Sequence, residues 1–332
     1  MRAYIVRRLL LMIPTFIGIS VITFFIIQLS PGNPVMLKLR ASEVGMRADA
    51  AATQETLEQT KKLYGLDKPI YVQYALWLYR LVRLDFGQSF KDQRPVIEKI
   101  AEALPVTLQL ELASLLVVYA VSIPLGVYSA THARTRRDYL ITVGLFLLYS
   151  VPSFWMAMML IMFFGGGEYL NWFPIDGLSS IMAEEYPWTR WILDRLWHMV
   201  LPVFCLSYGS LAVISRYMRT GMLEVLSQDY IRTARAYGFP ERTVVWKYAM
   251  RNSLIPIVTL LGYLLPSLIG GSILIETIFS IPGLGLLTFE AVLYRDYPLI
   301  MGTVTISAWL TLLGVLLSDV LYVWVDPRIQ LR

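Results

Sequence analysis

Ionisable side chains are scarce inside the long apolar stretches of this chain, so the few that occur there are the first candidates for chemistry. Glu111 is the clearest, set in Leu108-Gln109-Leu110-Glu111-Leu112-Ala113. Hydrocarbon penalises a carboxylate that has neither partner nor task. Glu111, with Gln109, is therefore a candidate for the lining of a transmembrane path, where it would attract an amino group. The preferred competing reading is a helix–helix hydrogen bond involving Gln109, because buried polar groups commonly find partners. Asp319, seven residues before Asp326, is expected to pair with an arginine near its end of the span. His132 and His198 fall on opposite membrane sides in the topology derived below, which argues against a shared metal. The chain has no Gly-x-x-x-x-Gly-Lys-Ser/Thr, no His-Glu-x-x-His and no Gly-x-Ser-x-Gly, so the P-loop, zinc-protease and serine-hydrolase signatures are missing. No catalytic residue, metal ligand or cofactor is expected on this chain. Its single cysteine, Cys205, rules out an internal disulfide.

A second kind of candidate is a polar block between two apolar segments, Gln228-Asp229-Tyr230-Ile231-Arg232-Thr233-Ala234-Arg235-Ala236-Tyr237-Gly238-Phe239-Pro240-Glu241. Ser227 or Asp229 is expected to cap a short helix, Gly238 to end it in a left-handed conformation, and Pro240-Glu241 to start another. The result is a helical corner with small residues, Ala234 and Ala236, for close approach and with Arg232 and Arg235 for grip.

These candidates need a scaffold, and composition says which solvent it sits in. A hydrophobic fraction of 56% against 16% charged residues over 332 positions places the chain in the membrane class. Periodicity and breakers predict an all-α protein with six spans, about 9–29, 104–130, 139–164, 198–214, 253–274 and 299–325. The third span runs through Pro152. The first run is too long for a signal core and no cleavage site follows it, so it reads as a span. Residues 30–103 are expected to form a large extracytoplasmic loop subdomain, with helices at Thr53–Tyr64 and Tyr71–Leu84, and 215–252 a basic cytoplasmic loop. Ile281-Pro282-Gly283-Leu284-Gly285 suggests an element dipping back toward the membrane surface. Outside the charged 30–103 loop, which is long enough to be exempt from the positive-inside rule, arginine and lysine concentrate at the N-terminus, at 134–137, at 216–251 and at the C-terminus. The positive-inside rule then places both termini and the Gly238 corner in the cytoplasm. Basic residues lie in short loops with no separate basic domain, so nucleic acid is not a partner.

The block around Arg232-Thr233-Ala234-Arg235-Ala236-Tyr237-Gly238, followed by Arg251-Asn252-Ser253-Leu254-Ile255-Pro256, resembles the coupling loop of ABC-transporter permeases. Arg232 stands where the general consensus has an acid, a departure shared with the peptide-permease branch. The resemblance extends to Leu29-Ser30-Pro31-Gly32-Asn33-Pro34, Tyr64-Gly65-Leu66-Asp67-Lys68-Pro69, Asp85-Phe86-Gly87-Gln88-Ser89, Glu276 to Gly285, Arg295-Asp296-Tyr297-Pro298 and Asp326-Pro327-Arg328. Together they are similar to the B-type subunit of dipeptide, oligopeptide, nickel and glutathione importers. That resemblance implies a type I importer permease in a bacterial or archaeal plasma membrane. Its expected partners are a C-type permease, two ATP-binding cassette subunits that carry ATP and Mg, and an extracytoplasmic binding protein. Residues Tyr230 and Arg232 to Glu241 are implied to contact an ATPase. Glu276, Pro282, Gly283 and Asp296 are implied to form an outer gate or a binding-protein contact. A self-sufficient ion-coupled carrier or channel is the rival class; it should show internal repeats and paired intramembrane charges, and neither stands out.

Overall fold

Residues 2–29, 68–166, 169–264 and 272–325 are described in the computed structural model, and among them the secondary structure is helical apart from one isolated bridge, Gln88 to Pro95. Helix α1 (Arg2–Leu29) is followed, after residues outside the described set, by α2 (Ile70–Val82). The expected Tyr71–Leu84 helix thus appears, and it lies against the end of α1. Tyr74 and Ser20 share a hydrogen bond of 2.8 Å, and the Phe24 ring sits 5.4 Å from that of Tyr74. The helix expected at Thr53–Tyr64 lies outside the described residues.

Four long segments then build the bundle: α3 (Val96–Thr131), α4 (Arg136–Ser150), α5 (Ser153–Phe164) and α6 (Trp188–Leu226). Helices α3 and α6 run parallel: Arg195 bonds Gln109 near one end, Ser122 bonds the Leu211 carbonyl further along, and Gly126 meets Met218 near the other. The buried positions of α3 include Ala103, Thr107, Leu110, Ser114, Val118, Ser122, Gly126 and Ala130, a stripe at helical spacing and mostly small. Lipid tails supply no hydrophobic drive between helices, so association depends on backbones coming close. At Gly126 an added Cβ would lie 2.6 Å from Met218 Cβ and 2.7 Å from the Ser215 carbonyl, which shows how close these two come.

The predicted third span is not one straight helix. Helices α4 and α5 meet at 96° across Val151-Pro152. Proline removes an amide donor and pushes the residue before it toward extended backbone; Val151 sits at φ −82°, ψ 127° and Pro152 at φ −62°, ψ 139°. Tyr208 of α6 donates a 2.5 Å hydrogen bond to the Val151 carbonyl that the break frees. The fourth predicted span, 198–214, extends at both ends into a 39-residue helix, so Trp188–Trp197 and residues 215–226 are helical rather than loop.

Beyond α6 come α7 (Asp229–Ala236), α8 (Glu241–Thr243), a π-helical stretch Val244–Ala249, α9 (Met250–Ser253) and α10 (Ile255–Leu264). They are followed by α11 (Ile273–Ile278), α12 (Leu284–Leu293) and α13 (Tyr297–Val325). Helix α13 packs antiparallel to α1, with the Phe16 and Trp309 rings 4.7 Å apart. Arg8 Nε lies 3.2 Å from Asp319, the ion pair expected for that aspartate. Four stretches are long and apolar enough to cross a bilayer, Val6–Gln28, Val96–Thr131, Trp188–Leu226 and Tyr297–Val320, and the bent α4–α5 pair makes a fifth. The span expected at 253–274 is described only as far as Leu264 and again from residue 272, so six spans are not counted among the described residues.

At the arginine-rich end, Asp138 ties three helices together. Arg219 of α6 approaches it with a two-pronged grip, Nε at 2.8 Å and Nη2 at 2.7 Å; Ser129 of α3 donates to it, and the Arg134 amide donates at 3.0 Å. Asp138 is buried and Arg219 partly exposed, so removing Asp138 leaves the guanidinium, the Ser129 hydroxyl and the Arg134 amide without their shared acceptor. Asp138→Ala is expected to destabilise the purified protein by about 3 kcal/mol, and Asp138→Ala with Arg219→Met by less. Thermal unfolding in detergent reads both; equal shifts would show that the pair is not what binds these helices.

Candidate functional site

The corner at Gly238 is built from local hydrogen bonds. Helix α7 starts at Gln228 with no side-chain cap, so the expected capping by Ser227 or Asp229 does not occur. At its other end the Gly238 amide bonds the Arg235 carbonyl at 2.9 Å and the Phe239 amide bonds the Ala234 carbonyl at 3.3 Å. With Gly238 at φ +78°, this is the Schellman termination that needs a left-handed residue. Arg235 then reaches across the corner to Glu241, with Nη2 at 2.7 Å and Nε at 3.2 Å. Its hydrogen bonds hold the Glu241 carboxyl below the usual carboxylate range. Arg235 is thus engaged within the chain, and Arg232 lies 3.4 Å from Asp229.

One face of α7 is anchored. Ile231 and Ala234 are buried with Met218, Met222, Val244, Val245 and Ala249. The reading of Ala234 as a surface for close approach is corrected on this point: it lies three residues from Ile231, on the inward face of the helix. Arg232, Thr233, Ala236, Tyr237, Phe239 and Pro240 are exposed, Tyr237 by 80%. The Tyr230 hydroxyl accepts from Asn252 at 2.8 Å, which joins the start of α7 to α9. The corner is therefore a stiff, aromatic and basic projection on a packed base.

At the opposite end, Glu276 of α11 is 2% exposed yet hydrogen-bonded. It accepts from Thr107 Oγ1 at 2.9 Å and from the Leu286 amide at 3.0 Å, while Thr107 Oγ1 accepts from the Leu284 amide at 2.8 Å. The turn 279–283 wraps this carboxylate so closely that a Cβ at Gly283 would lie 2.5 Å from Glu276 Oε2 and one at Gly285 would lie 2.8 Å from it. Two glycines spaced by one residue are what let the backbone pass. Asp296, 1% exposed, accepts from the Ser89 hydroxyl and from the Leu299 amide at 3.3 Å, capping α13. The motif segments 85–89 and 295–298, some 200 residues apart, thus meet through Ser89 and Asp296. Beside them Lys91 bonds Glu290 at 3.0 Å; burial alone would lower its pKa, and Glu290 more than offsets that, leaving it raised.

Glu276, Gly283 and Asp296 face inward, so the reading of them as a contact for an external protein does not fit their burial; Pro282 alone of the four is exposed. Gln109 does not bond Glu111. Residues two apart on a helix point to different sides, and Gln109 instead accepts from Arg195 at 2.7 Å. Sequence reasoning missed Thr107 and Gly285. The signal for Gly285 was its spacing of two from Gly283; nothing local marked Thr107.

Residues 1–111 match the family described as the N-terminal component, and residues 122–331 the main component, of the binding-protein-dependent transport system inner membrane proteins. Over 331 residues the chain is 43% identical to the oligopeptide transport system permease protein AppB of Bacillus subtilis (strain 168), with 99% of this chain and 100% of that protein aligned. It is 39% identical over 347 residues to the dipeptide transport system permease protein DppB of Escherichia coli (strain K12), with 99% of each covered. It is 37% identical over 362 residues to the inner membrane ABC transporter permease protein YejB of Escherichia coli O157:H7, again with 99% of each covered.

Two outcomes follow from the geometry. Gly283→Ala forces a methyl onto the Glu276–Thr107 bond and is expected to destabilise by about 1–3 kcal/mol, read as a lower midpoint of thermal unfolding; an unchanged midpoint would mean the loop repacks freely. Because the Glu241 pKa is depressed in the folded chain, its contribution is present above its unfolded pKa, about 4.3, and is lost as pH falls through the folded value. Glu241→Gln should mimic that loss at neutral pH, and hydrogen exchange at the Gly238 and Phe239 amides should speed up.

Proposed function

The chain belongs to the binding-protein-dependent transport system inner membrane component family, and from that premise we propose that it is the permease subunit of a peptide importer driven by ATP hydrolysis on partner subunits. The observation that carries the peptide reading is likeness along the whole chain: two of the aligned relatives, each matched over 99% of it, are named for oligopeptide and dipeptide transport. The chain is a multi-pass membrane protein with no P-loop sequence, and in this proposal ATP and Mg sit on two cassette subunits. A C-type permease completes the pathway, and an extracytoplasmic binding protein delivers the substrate. Both termini and the Gly238 corner face the cytoplasm, a placement supported by the excess of arginine in the short loops at that end.

In this reading the corner is the part that an ATPase pushes. Its exposed face, with Arg232, Thr233, Ala236, Tyr237 and Phe239, seats in a groove on the cassette subunit, while the Arg235–Glu241 fork keeps the corner from flexing under load. The motion passes through Ile231 and Ala234 to Met218 and Met222 of α6, and α6 is packed along α3. Helix α3 carries Thr107, which holds the Glu276 loop at the far end. A displacement at one end thus has a packed route to the outer loop, which serves as the gate. Glu111, one turn from Thr107 on α3, lies on that route as the candidate path residue.

Gly238→Val separates this reading from a purely structural corner. A Cβ at this position would meet nothing within 4 Å, so the substitution acts through its positive φ, not through a clash. The strain is about 1–2 kcal/mol, enough to distort the projection while the bundle stays folded. The variant is expected to assemble with its partners and to lose about tenfold or more in transport per ATP hydrolysed, a loss of that size corresponding to about 1.4 kcal/mol. Unchanged coupling in reconstituted vesicles would overturn the proposal, as would labelling of Tyr237→Cys from the outer medium.

A further inference from the structure

The Asp138–Arg219 stitch lines a recess of about 670 Å³ between α4 and α6. Its polar end is lined by Ser129, Thr135 and Thr220 together with Arg134, Arg216 and Arg219. Its apolar end is lined by Ile141, Leu145, Phe146 and Ala212. Of its three arginines, Arg219 is neutralised by Asp138. Arg134 and Arg216 are exposed and form no ion pair with any described residue. The guanidinium of Arg216 instead rests 5.6 Å from the centre of the Phe146 ring, at the junction of the two ends. Among the described residues Asp138 is the only acid lining the recess, so their lining carries net positive charge.

The apolar end continues onto a surface that no described residue covers: Leu140 is 68% exposed, Phe146 46% and Leu147 65%. From Asp138 to Phe146 is eight residues, about 12 Å along the helix axis. That length sets a phosphate against the arginines while a hydrocarbon chain runs down the flank of α4. We propose that the recess is a binding site for one anionic phospholipid of the cytoplasmic leaflet, its phosphate held by Arg134 and Arg216 and its acyl chains lying on Leu145 and Phe146. Guanidinium groups suit phosphate oxygens through paired N–H donors, and basic pockets between spans on the cytoplasmic side recognise anionic headgroups. The lipid would bridge α4, just before its break at Val151-Pro152, to α6, the helix that carries the corner and through which the proposed function passes its motion. The leaflet assignment rests on the orientation given under Proposed function.

The test uses the intact importer complex in nanodiscs made from equal parts of phosphatidylglycerol and phosphatidylcholine, with retained lipid read by native mass spectrometry. The wild-type complex should retain phosphatidylglycerol preferentially. Arg134→Gln with Arg216→Gln should reduce that preference about 30-fold, from roughly fivefold per arginine near a membrane surface. Arg136→Gln, a neighbouring arginine outside the recess, should leave it unchanged. No preference in the wild type, or an equal loss in the Arg136 variant, overturns the site. If the double variant sheds the partner permease while lipid retention stays the same, the recess holds an acidic side chain of that partner and the lipid assignment falls. Labelling of Arg136→Cys with an impermeant thiol reagent reads the orientation separately, since the native Cys205 is buried. Labelling from the inner face combined with absent lipid preference defeats this site and leaves the proposed function standing. Labelling from the outer face defeats the orientation and the leaflet assignment with it.

Discussion

Everything in this structure depends on how closely α3 and α6 approach. In lipid the backbone of each helix is satisfied internally and side chains gain little by leaving one hydrocarbon phase for another. What remains is contact, and contact at short range requires small side chains. Ala103, Ser114, Ser122, Gly126 and Ala130 line the buried face of α3, and Ser207 and Ser215 are buried on α6. The two helices lie parallel, so their contact extends from the Gln109–Arg195 bond to the floor on which the Gly238 corner stands.

Both ends of that seam are closed by a buried carboxylate, and the two are satisfied differently. Asp138 is paired with a guanidinium that is itself partly exposed, so the charge is balanced and the site is open to a recess. Glu276 has no cation beside it among the described residues; a hydroxyl and a backbone amide hold it, inside a turn that admits only glycine at two positions. Buried polar groups need their hydrogen bonds supplied in full. Each arrangement therefore fixes the elements that supply them: α3, α4 and α6 at one end, and α3, α11 and α12 at the other. A bundle stitched at both ends and packed between them is suited to move as a unit, which a coupling mechanism requires.

The corner and the broken span show where reading residues in order succeeds and where it does not. Gly238 was legible because a left-handed residue has a local cause, and the Schellman bonds that surround it involve neighbours in the chain. Pro152 looked like the other prolines inside spans, and Pro14, Pro105, Pro124 and Pro202 do sit within continuous helices. What distinguishes it is Tyr208, 56 residues away in the chain, whose hydroxyl satisfies the freed carbonyl and lets the helix turn through 96°. The same limit explains Glu111 and Gln109: a pair that looked adjacent in the sequence diverges on the helix, and the partner of Gln109 comes from α6.

By itself the sequence determined the solvent, the helical class, most of the spans, the basic end, the glycine-ended corner and the family, because hydrophobic runs, charge placement and turn chemistry act through residues close together in the chain. Only the tertiary structure decided that Ala234 faces the bundle, that Ser89 meets Asp296, that Thr107 holds Glu276, and that two arginines without an ion pair among the described residues overlook an open recess. Those outcomes depend on which helices come within about 3 Å hydrogen-bond reach of one another. That distance is set by the packing of whole faces, which no single stretch of the chain encodes.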